Sequence, residues 1–201
     1  MDRTRSPQAV AAWRNSDRLG AFLQRMQSCG LDQLVVYYHG MHSFLDENDV
    51  LLLSGFKAMG ESLLILDRKE GMTLFFSPPW DEARARRQLP EASVAGADDV
   101  SAALREWVKA RSPIRPERIG FIGLDSMNAR RYDSVSSLFG GEFREVKALF
   151  RDLTRVKTEE ELERVRKATW IAERGFEKML EIVRPGMYDY QMAGELVSYM
   201  K

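Results

Sequence analysis

The chain contains two histidines, His39 and His42, which are three residues apart. Imidazoles at this spacing can share a metal ion when the backbone between them is helical. Gly40 lies between them and disfavours a helix, and the acidic residues that follow are typical of a solvated loop. Two histidines without a matched carboxylate also leave a divalent metal ion short of ligands. We therefore predict that the pair lies in a polar loop and that the chain supplies no metal ligand.

The segment GFKAMGES, residues 55–62, has the glycine spacing of a phosphate-binding P-loop. A P-loop has a lysine after its second glycine, because a cation must face the phosphates. Glu61 occupies that position and would place a carboxylate there instead. The residues that follow have the pattern of a strand, whereas a P-loop leads into a helix whose N-terminus holds the anion. We interpret the segment as a glycine-bounded turn between strands.

A nucleophilic serine or cysteine is equally poorly supported. Either triad would need one of the two histidines as its base, and no G-x-S-x-G sequence marks a nucleophile elbow. Cys29 is the only cysteine, and we interpret it as a small apolar group that packs inside the domain. We therefore predict no catalytic and no cofactor-binding residue in the chain.

Arginines and tryptophans lie on several of the predicted helices, where they could bind a ligand or be structural. An anion can bind at a helix start, but a solvated helix face is the ordinary interpretation of charged clusters, and we adopt it for Arg84, Arg86, Arg87, Arg130 and Arg131. Trp107 and Trp170 recur at helical spacings with other apolar residues, so we predict that both pack in a core.

The composition excludes several classes of protein. The 201 residues include 30 Lys+Arg and 30 Asp+Glu, and this balance argues against a nucleic-acid binder. No apolar run approaches the roughly 20 residues that cross a bilayer, so no membrane partner is predicted. The N-terminus lacks the apolar segment of a secretory signal, and a single cysteine suits a reducing compartment. We predict a cytoplasmic location.

The elements that position these residues alternate along the chain. Apolar periodicity and turn residues predict helices over residues 17–29, 80–89, 98–110 and 128–138. Strands are predicted over residues 34–38, 62–66, 72–76, around Val94, and over 118–124 and 142–146. Residues 62–76 form a hairpin, which makes the sheet mixed rather than purely parallel. The pattern is typical of a layered α/β domain.

The character of the chain changes after Phe150. Thr158 and Glu161 have the spacing of a capping box, and an apolar stripe follows at helical intervals over residues 162–183. Another helix is predicted from Asp189 to the end. A stripe this long needs a partner, and we expect it to belong to an incomplete second domain. The predicted organisation is a polar lead-in over 1–16, a first domain over 17–147, and the start of a second over 148–201.

The order of these segments resembles the creatinase/aminopeptidase P/prolidase family of pita-bread hydrolases. The resemblance lies in residues 29–36 (CGLDQLVV), 49–56 (DVLLLSGF), 155–168 (RVKTEEELERVRKA) and 184–189 (RPGMYD). The third segment is similar to the one that opens the family's catalytic domain and is the most specific. The chain departs from the pattern in small ways, because leucine replaces a usual tyrosine in the second segment and Asp189 stands near the usual glutamate.

The resemblance implies a creatinase-type, ribonuclease H-like N-terminal domain with a mixed sheet, followed by the truncated start of an α+β pita-bread domain. It implies that the parent protein is a metal-dependent Xaa-Pro aminopeptidase or dipeptidase that acts on peptide or small amide substrates and forms a homodimer. The family's hydrolytic members bind two divalent metal ions through two Asp, one His and two Glu. All five ligands are expected downstream of this chain, which alone should be inactive.

The resemblance also implies that the N-terminal domain shapes substrate access in a dimer. On that basis Phe56, Lys57 and Glu61, beside the SGF segment, are candidate substrate-access residues, although an ordinary connection between elements explains them equally. Two alternatives stay open. One is a small-molecule hydrolase or lyase of the same fold, such as a metal-free creatinase-like enzyme. The other is a non-catalytic binding or dimerisation module whose apolar stripe is an interaction surface.

Overall fold

The computed structural model describes residues 17–41, 47–111, 114–141 and 144–200. Its helices are α1 (Asp17–Ser28), α2 (Asp49–Ser54), α3 (Glu82–Gln88), α4 (Val100–Ala110), α5 (Ala129–Ser136), α6 (Lys147–Arg155), α7 (Glu159–Ile182) and α8 (Asp189–Met200). Its strands are β1 (Gln33–Tyr38), β2 (Ser62–Asp67), β3 (Gly71–Phe76), β4 (Ser93–Gly96) and β5 (Ile119–Ile122). The predicted lead-in over 1–16, His42, and the first residues of the predicted strand over 142–146 lie outside the described residues.

The strands form one mixed sheet in the order β4-β3-β2-β1-β5. The predicted hairpin is confirmed, since β2 pairs antiparallel with β3 from Ser62 opposite Phe76 to Asp67 opposite Gly71. β1 pairs antiparallel with β2, whereas β1–β5 and β3–β4 are parallel pairs. The mixed α/β sheet predicted from the sequence is therefore confirmed.

The sheet is covered by helices on both faces. Successive residues of β1 alternate between them, as a pleated strand requires: Leu34 and Val36 belong to one buried cluster and Val35 and Tyr37 to the other. The first cluster takes its helical partners from α1, α2, α3 and α6. The second takes them from α4 and α5. The result is a three-layer domain whose core lies on both sides of the sheet.

The helix α6 packs on the first of these faces. Phe150 is buried and stacks on Phe22 of α1 with ring centroids 4.8 Å apart. The Arg25 guanidinium donates to both carboxylate oxygens of Asp152, at 3.0 and 2.7 Å. The stacked rings and this bidentate ion pair hold α6 against α1.

The chain divides into two compact units, residues 1–153 and 154–201. In the second unit the predicted capping box is present: Thr158 Oγ1 accepts from the Glu161 N–H at 3.2 Å, and Glu161 Oε2 accepts from the Thr158 N–H at 2.8 Å. α7 and α8 pack together where Gly175 meets Met200, since a Cβ at Gly175 would lie 2.8 Å from the Met200 sulfur. The domain limits at 147 and 148 stay a prediction.

Much of the apolar stripe of α7 is exposed. Val165 and Phe176 are each 58% exposed, as is Trp170 elsewhere on the helix. The prediction of core packing therefore holds for Trp107, which is buried, but is wrong for Trp170. The physical reason is that a unit of two helices has few side chains with which to cover a tryptophan.

Two expectations about local structure are corrected. The turn predicted over 55–62 does not follow a strand, because the residues before it form a short helix, α2, in which the Asn48 side chain caps the first turn by accepting from the Leu51 N–H at 2.8 Å. The segment after it is therefore a helix-to-strand loop rather than a turn between strands. The strand predicted over 142–146 reduces, among described residues, to a parallel bridge between Phe121 and Glu145.

Candidate functional site

The candidate substrate-access residues lie in the connection between α2 and β2, residues 55–61, which we call the α2–β2 loop. α2 ends at Ser54 and is capped by Gly55, whose N–H donates to the Leu51 carbonyl. The φ of Gly55 is +75°, a conformation that glycine adopts at little cost. The Ser54 hydroxyl donates to the Val50 carbonyl at 2.6 Å and accepts from the Phe56 N–H at 3.0 Å. These bonds fix the direction in which the loop leaves the helix.

Side chains of the loop alternate between the core and the surface. Phe56 and Ala58 are buried, at 1% and 4% exposure, whereas Lys57 and Met59 are exposed. Phe56 also contacts the Phe76 ring, at 5.2 Å between centroids. The loop therefore presents Lys57 and Met59 outward, and Phe56 serves as part of the core under it.

Arg84 of α3 holds the first part of the loop. Its guanidinium donates to the Lys57 carbonyl oxygen at 2.8 Å and lies 4.3 Å from the centre of the Phe56 ring. Arg84 Nε also donates to the Asp81 carboxylate at 2.7 Å. This hydrogen bond raises the pKa of Arg84 and lowers the pKa of Asp81, so the pair stays charged. Arg84 is thus a structural contact of the loop rather than only a member of a solvated helix face.

Arg131 of α5 holds the last residue of the loop. Its guanidinium forms an ion pair with Glu61, with Nε 3.2 Å from Oε1, and a second ion pair with Asp99. It also donates to the Ser101 hydroxyl at 2.6 Å. The Tyr37 hydroxyl donates to Glu61 Oε1 at 2.7 Å. We call these five residues the Arg131 network.

The members of this network come from β1, the α2–β2 loop, the start of α4 and α5, and the Asp99 side chain is 53% exposed whereas the pair at the centre is shielded from solvent. The side chains of Arg131 and Glu61 are only 17% and 22% exposed. Burial raises the pKa of Tyr37, and its hydrogen bond to Glu61 raises it further. Burial acts to raise the pKa of Asp99, but the bonds from Arg131 and the Ser101 N–H outweigh it and lower that pKa. The network therefore holds Glu61 and Asp99 beside a permanently charged guanidinium.

Close backbone packing fixes the same end of the loop. A Cβ at Gly60 would lie 2.7 Å from the Ser77 carbonyl oxygen. Gly40 has a φ of +79° and meets the Gly60 backbone directly, so a side chain there would clash as well as strain the backbone. The Glu61 carbonyl accepts from the Ser77 N–H at 2.8 Å. The ends of β1 and β3 thus enclose the loop before β2 begins.

The chemistry available to this loop follows from these contacts. Glu61 is engaged by a guanidinium and a hydroxyl, so its carboxylate is occupied inside the protein. The Lys57 ammonium has no hydrogen bond or ion pair within the described residues and is the free charge that the loop offers. The roles of Phe56, Lys57 and Glu61 in substrate access stay a prediction.

Two other residues considered from the sequence, His39 and Cys29, lie within the described residues. The His39 Nδ1 accepts from the Met41 N–H at 2.9 Å, and its ring lies 4.8 Å from that of Tyr38. No group of three His, Cys, Asp or Glu that could hold a metal ion exists within the part of the chain that the structure describes. Cys29 is partly buried and packs against the core cluster. None of the described helices is long and apolar enough to cross a membrane.

Sequence reasoning missed the roles of Arg84 and Arg131. Arg131, interpreted as part of a solvated face, is in fact only 17% exposed and is the centre of the network, because α5 places it over the end of the α2–β2 loop. Its neighbour Arg130 is exposed, as predicted. The pattern of charges in the sequence does not separate the two arginines, since adjacent helical positions differ only in the direction they face.

The three-layer α/β fold, followed by the capped helix α7, defines a class of protein. In this class an α/β N-terminal domain is followed by a second domain that begins with a helix. Residues 18–167 match the family described as Creatinase/Prolidase N-terminal domain. The match spans most of the chain and continues into α7. The chain belongs to the creatinase/prolidase family, as the sequence resemblance indicated. No curated protein matches the sequence significantly.

Solved structures share this fold. The X-Pro aminopeptidase from Thermotoga maritima MSB8 has a TM-score of 0.73 and 20% identity, over 90% of this chain and 48% of its own. The prolidase from Pyrococcus horikoshii OT3 has a TM-score of 0.67 and 18% identity, over 92% and 48%. The Xaa-Pro dipeptidase from Bacillus anthracis has a TM-score of 0.64 and 19% identity, over 90% and 48%. The chain spans about half the length of these structures.

Proposed function

We propose that residues 1–201 are the N-terminal part of a metal-dependent Xaa-Pro aminopeptidase or dipeptidase. The observation that carries this proposal is the family match over residues 18–167, which runs through the sheet domain and into the capped helix α7. The solved structures of similar fold, described as X-Pro aminopeptidase, prolidase and Xaa-Pro dipeptidase, support the choice of substrate. Under this proposal the substrate is a peptide with proline in its second position.

The proposal gives the N-terminal domain two roles, dimerisation and control of substrate access. The α2–β2 loop supports the second role, since it is held at both ends and presents Lys57 outward. A cationic side chain on a loop whose backbone is held in place can attract an anionic group on a ligand. In this role Phe56 and Glu61 support the loop from inside while Lys57 faces the substrate path.

The proposal also places two divalent metal ions in the complete enzyme. By the family resemblance, the five ligands of these ions are expected in sequence beyond residue 201. A homodimer in the cytoplasm is the expected form of the enzyme. The proposed domain boundary lies at residues 147–148, near the change between the two compact units.

A same-fold enzyme that acts on a small molecule is the second candidate. The family description itself covers creatinase as well as prolidase, and the described residues do not separate the two. A non-catalytic module is the third, and the exposed apolar residues of α7, among them Val165 and Phe176, favour it if no further chain covers them. The candidates differ in what lies beyond residue 201.

The discriminating experiment starts from the complete reading frame that contains these residues. A downstream sequence with two Asp, one His and two Glu in family order is expected, and its protein should hydrolyse an X-Pro dipeptide or tripeptide but not creatine. Cleavage of creatine alone would favour the small-molecule enzyme. A reading frame without those ligands, together with no hydrolysis of either substrate, would favour the binding module.

A further inference from the structure

We propose that Arg131 is a positioning residue that sets how the α2–β2 loop presents Lys57. This inference rests on the proposed function, because it assigns the loop a part in substrate access. Arg131 itself is only partly accessible and its donors are occupied by Glu61, Asp99 and Ser101. It would therefore act through the loop rather than by touching the substrate.

The outward position of Lys57 depends on the rest of the loop. Lys57 is exposed and buries little surface, so packing of its own side chain contributes little to where it lies. Its position follows from the positions of the inward residues, Phe56 and Ala58, and of the two ends of the loop. A residue that fixes an end of the loop therefore also fixes the direction of Lys57.

The two ends of the α2–β2 loop are held by different arginines, in places that differ in exposure to solvent. At the first end Arg84, whose side chain is 38% exposed, donates to one backbone carbonyl, that of Lys57. At the second end the Glu61 carboxylate is bound by the Arg131 guanidinium and the Tyr37 hydroxyl in a more shielded place. Both contacts have a cationic donor, and such bonds are stronger where water is excluded, as around Glu61. Arg131 is therefore the main side-chain anchor of the second end of the loop, and Arg84 is that of the first.

The Arg131 network joins the α2–β2 loop to a strand and to two helices of the first unit. Asp99 is the N-cap of α4, accepting from the Ser101 N–H at 2.9 Å, and Arg131 binds the side chains of both residues. Tyr37 reaches Glu61 from β1, an interior strand of the sheet. Movement of Glu61 would thus break its contacts to β1 and to Arg131 of α5, which restrains the loop to one arrangement.

The test compares Arg131→Met with Arg130→Met in the protein from the complete reading frame. Arg130 is the adjacent residue on α5, is exposed, and has no side-chain partner among the described residues, so it is a matched control. Two quantities are measured: the rate at which trypsin cleaves after Lys57, and the KM and kcat for an X-Pro dipeptide. Tryptic cleavage reports local opening of the loop, because a protease needs a flexible segment.

We expect Arg131→Met to raise the cleavage rate after Lys57 about tenfold and KM several-fold, roughly three to ten, with kcat within about twofold of wild type. Arg130→Met should change neither. Arg131→Lys keeps the charge but loses the fork of donors, so it should restore part of the protection. Equal acceleration at all lysines would indicate global unfolding and would overturn the inference, as would unchanged cleavage after Lys57 or a loss confined to kcat.

Two further outcomes distinguish a failure of this inference from unfolding of the variant and from a failure of the proposed function. If Arg131→Met does not fold, Tyr37→Phe and Glu61→Gln weaken the same anchor more gently and replace it in both measurements. If the wild-type protein hydrolyses no X-Pro peptide, the proposed function fails, and the cleavage after Lys57 alone then decides whether Arg131 positions the loop.

Discussion

The Arg131 guanidinium binds the Glu61 carboxylate, although 70 residues separate them in the sequence. The bond joins α5, on one face of the sheet, to the last residue of the α2–β2 loop. Glu61 occupies the position at which a P-loop has its lysine. Glu61, whose carboxylate is incompatible with a P-loop, thus forms the ion pair that anchors the end of the α2–β2 loop.

Replacing Arg131 by methionine should lower the free energy of unfolding by about 2–4 kcal/mol. The reason is that the Glu61 carboxylate would lose its guanidinium partner in a place where little water can replace it, and the Asp99 and Ser101 side chains would lose theirs. Glu61→Gln should lower it by less, about 1–2 kcal/mol, because the amide still accepts one hydrogen bond. Denaturant unfolding of the first unit measures both values.

The double variant Glu61→Gln/Arg131→Met provides the control. If the two side chains interact directly, its loss of stability should be clearly smaller than the sum of the single losses. Additive losses would mean that the ion pair contributes nothing of its own.

Tyr37→Phe should reduce stability by about 1 kcal/mol at neutral pH through loss of the hydrogen bond to Glu61. The folded state raises the pKa of Tyr37 above its ordinary value of 10.0, chiefly by burial. A raised pKa means that the neutral hydroxyl contributes fully below about pH 10 and loses that contribution as the pH rises further. The advantage of wild type over Tyr37→Phe should therefore shrink above about pH 10.

Unfolding curves at several pH values measure this difference. Tyr132→Phe, which alters a tyrosine with 40% exposure in the same unit, is the comparison. An advantage of wild type that grew with alkaline pH would show that Tyr37 is not shielded as the structure has it.

Two glycines should respond to alanine with opposite signs. Gly20 lies inside α1 with nothing within 4 Å of a new Cβ, so Gly20→Ala should stabilise the protein by about 0.5–1 kcal/mol. At Gly60 the Cβ would meet the Ser77 carbonyl oxygen, so Gly60→Ala should destabilise it by roughly 1–3 kcal/mol. Denaturant midpoints report both, and equal effects at the two positions would argue against close packing at Gly60.

The capping box makes a separate prediction for the second unit. Thr158→Ala removes the acceptor for the Glu161 N–H and should cost about 1 kcal/mol in the first turn of α7. Hydrogen exchange of the amides at residues 159–162 measures this local loss. Thr169→Ala, at an exposed position in the middle of α7, should instead stabilise the helix slightly because alanine has the higher helix propensity. Loss of protection in both variants would contradict a role for the cap.

Much of the fold could be predicted because its signals are local. The hairpin over residues 62–76 follows from two apolar runs around a polar turn, and the cap at Thr158 follows from the spacing to Glu161. The helix α2 was missed because a run of six residues fits a strand and a helix equally well, and its Asn48 cap was not recognised. Trp170 was misplaced because helical periodicity does not reveal whether a partner covers the stripe.

The candidate site was harder to predict because it depends on contacts between distant segments. Lys57 and Glu61 could be named from the family resemblance, but their partners Arg84 and Arg131 come from α3 and α5. Nothing in the spacing of those arginines shows which of them faces the loop. Predicting the Arg131 network requires the register of the sheet and the packing of α5 against it. Both are tertiary properties that short-range sequence patterns do not contain.

The most direct measurement is peptide hydrolysis by the purified protein from the complete reading frame, with Ala-Pro and Ala-Ala as matched substrates. We predict release of alanine from Ala-Pro well above that from Ala-Ala, lost on treatment with a metal chelator and restored by a divalent metal ion. Equal hydrolysis of both peptides, or activity that survives full metal removal, would contradict assignment of this chain to a metal-dependent Xaa-Pro peptidase.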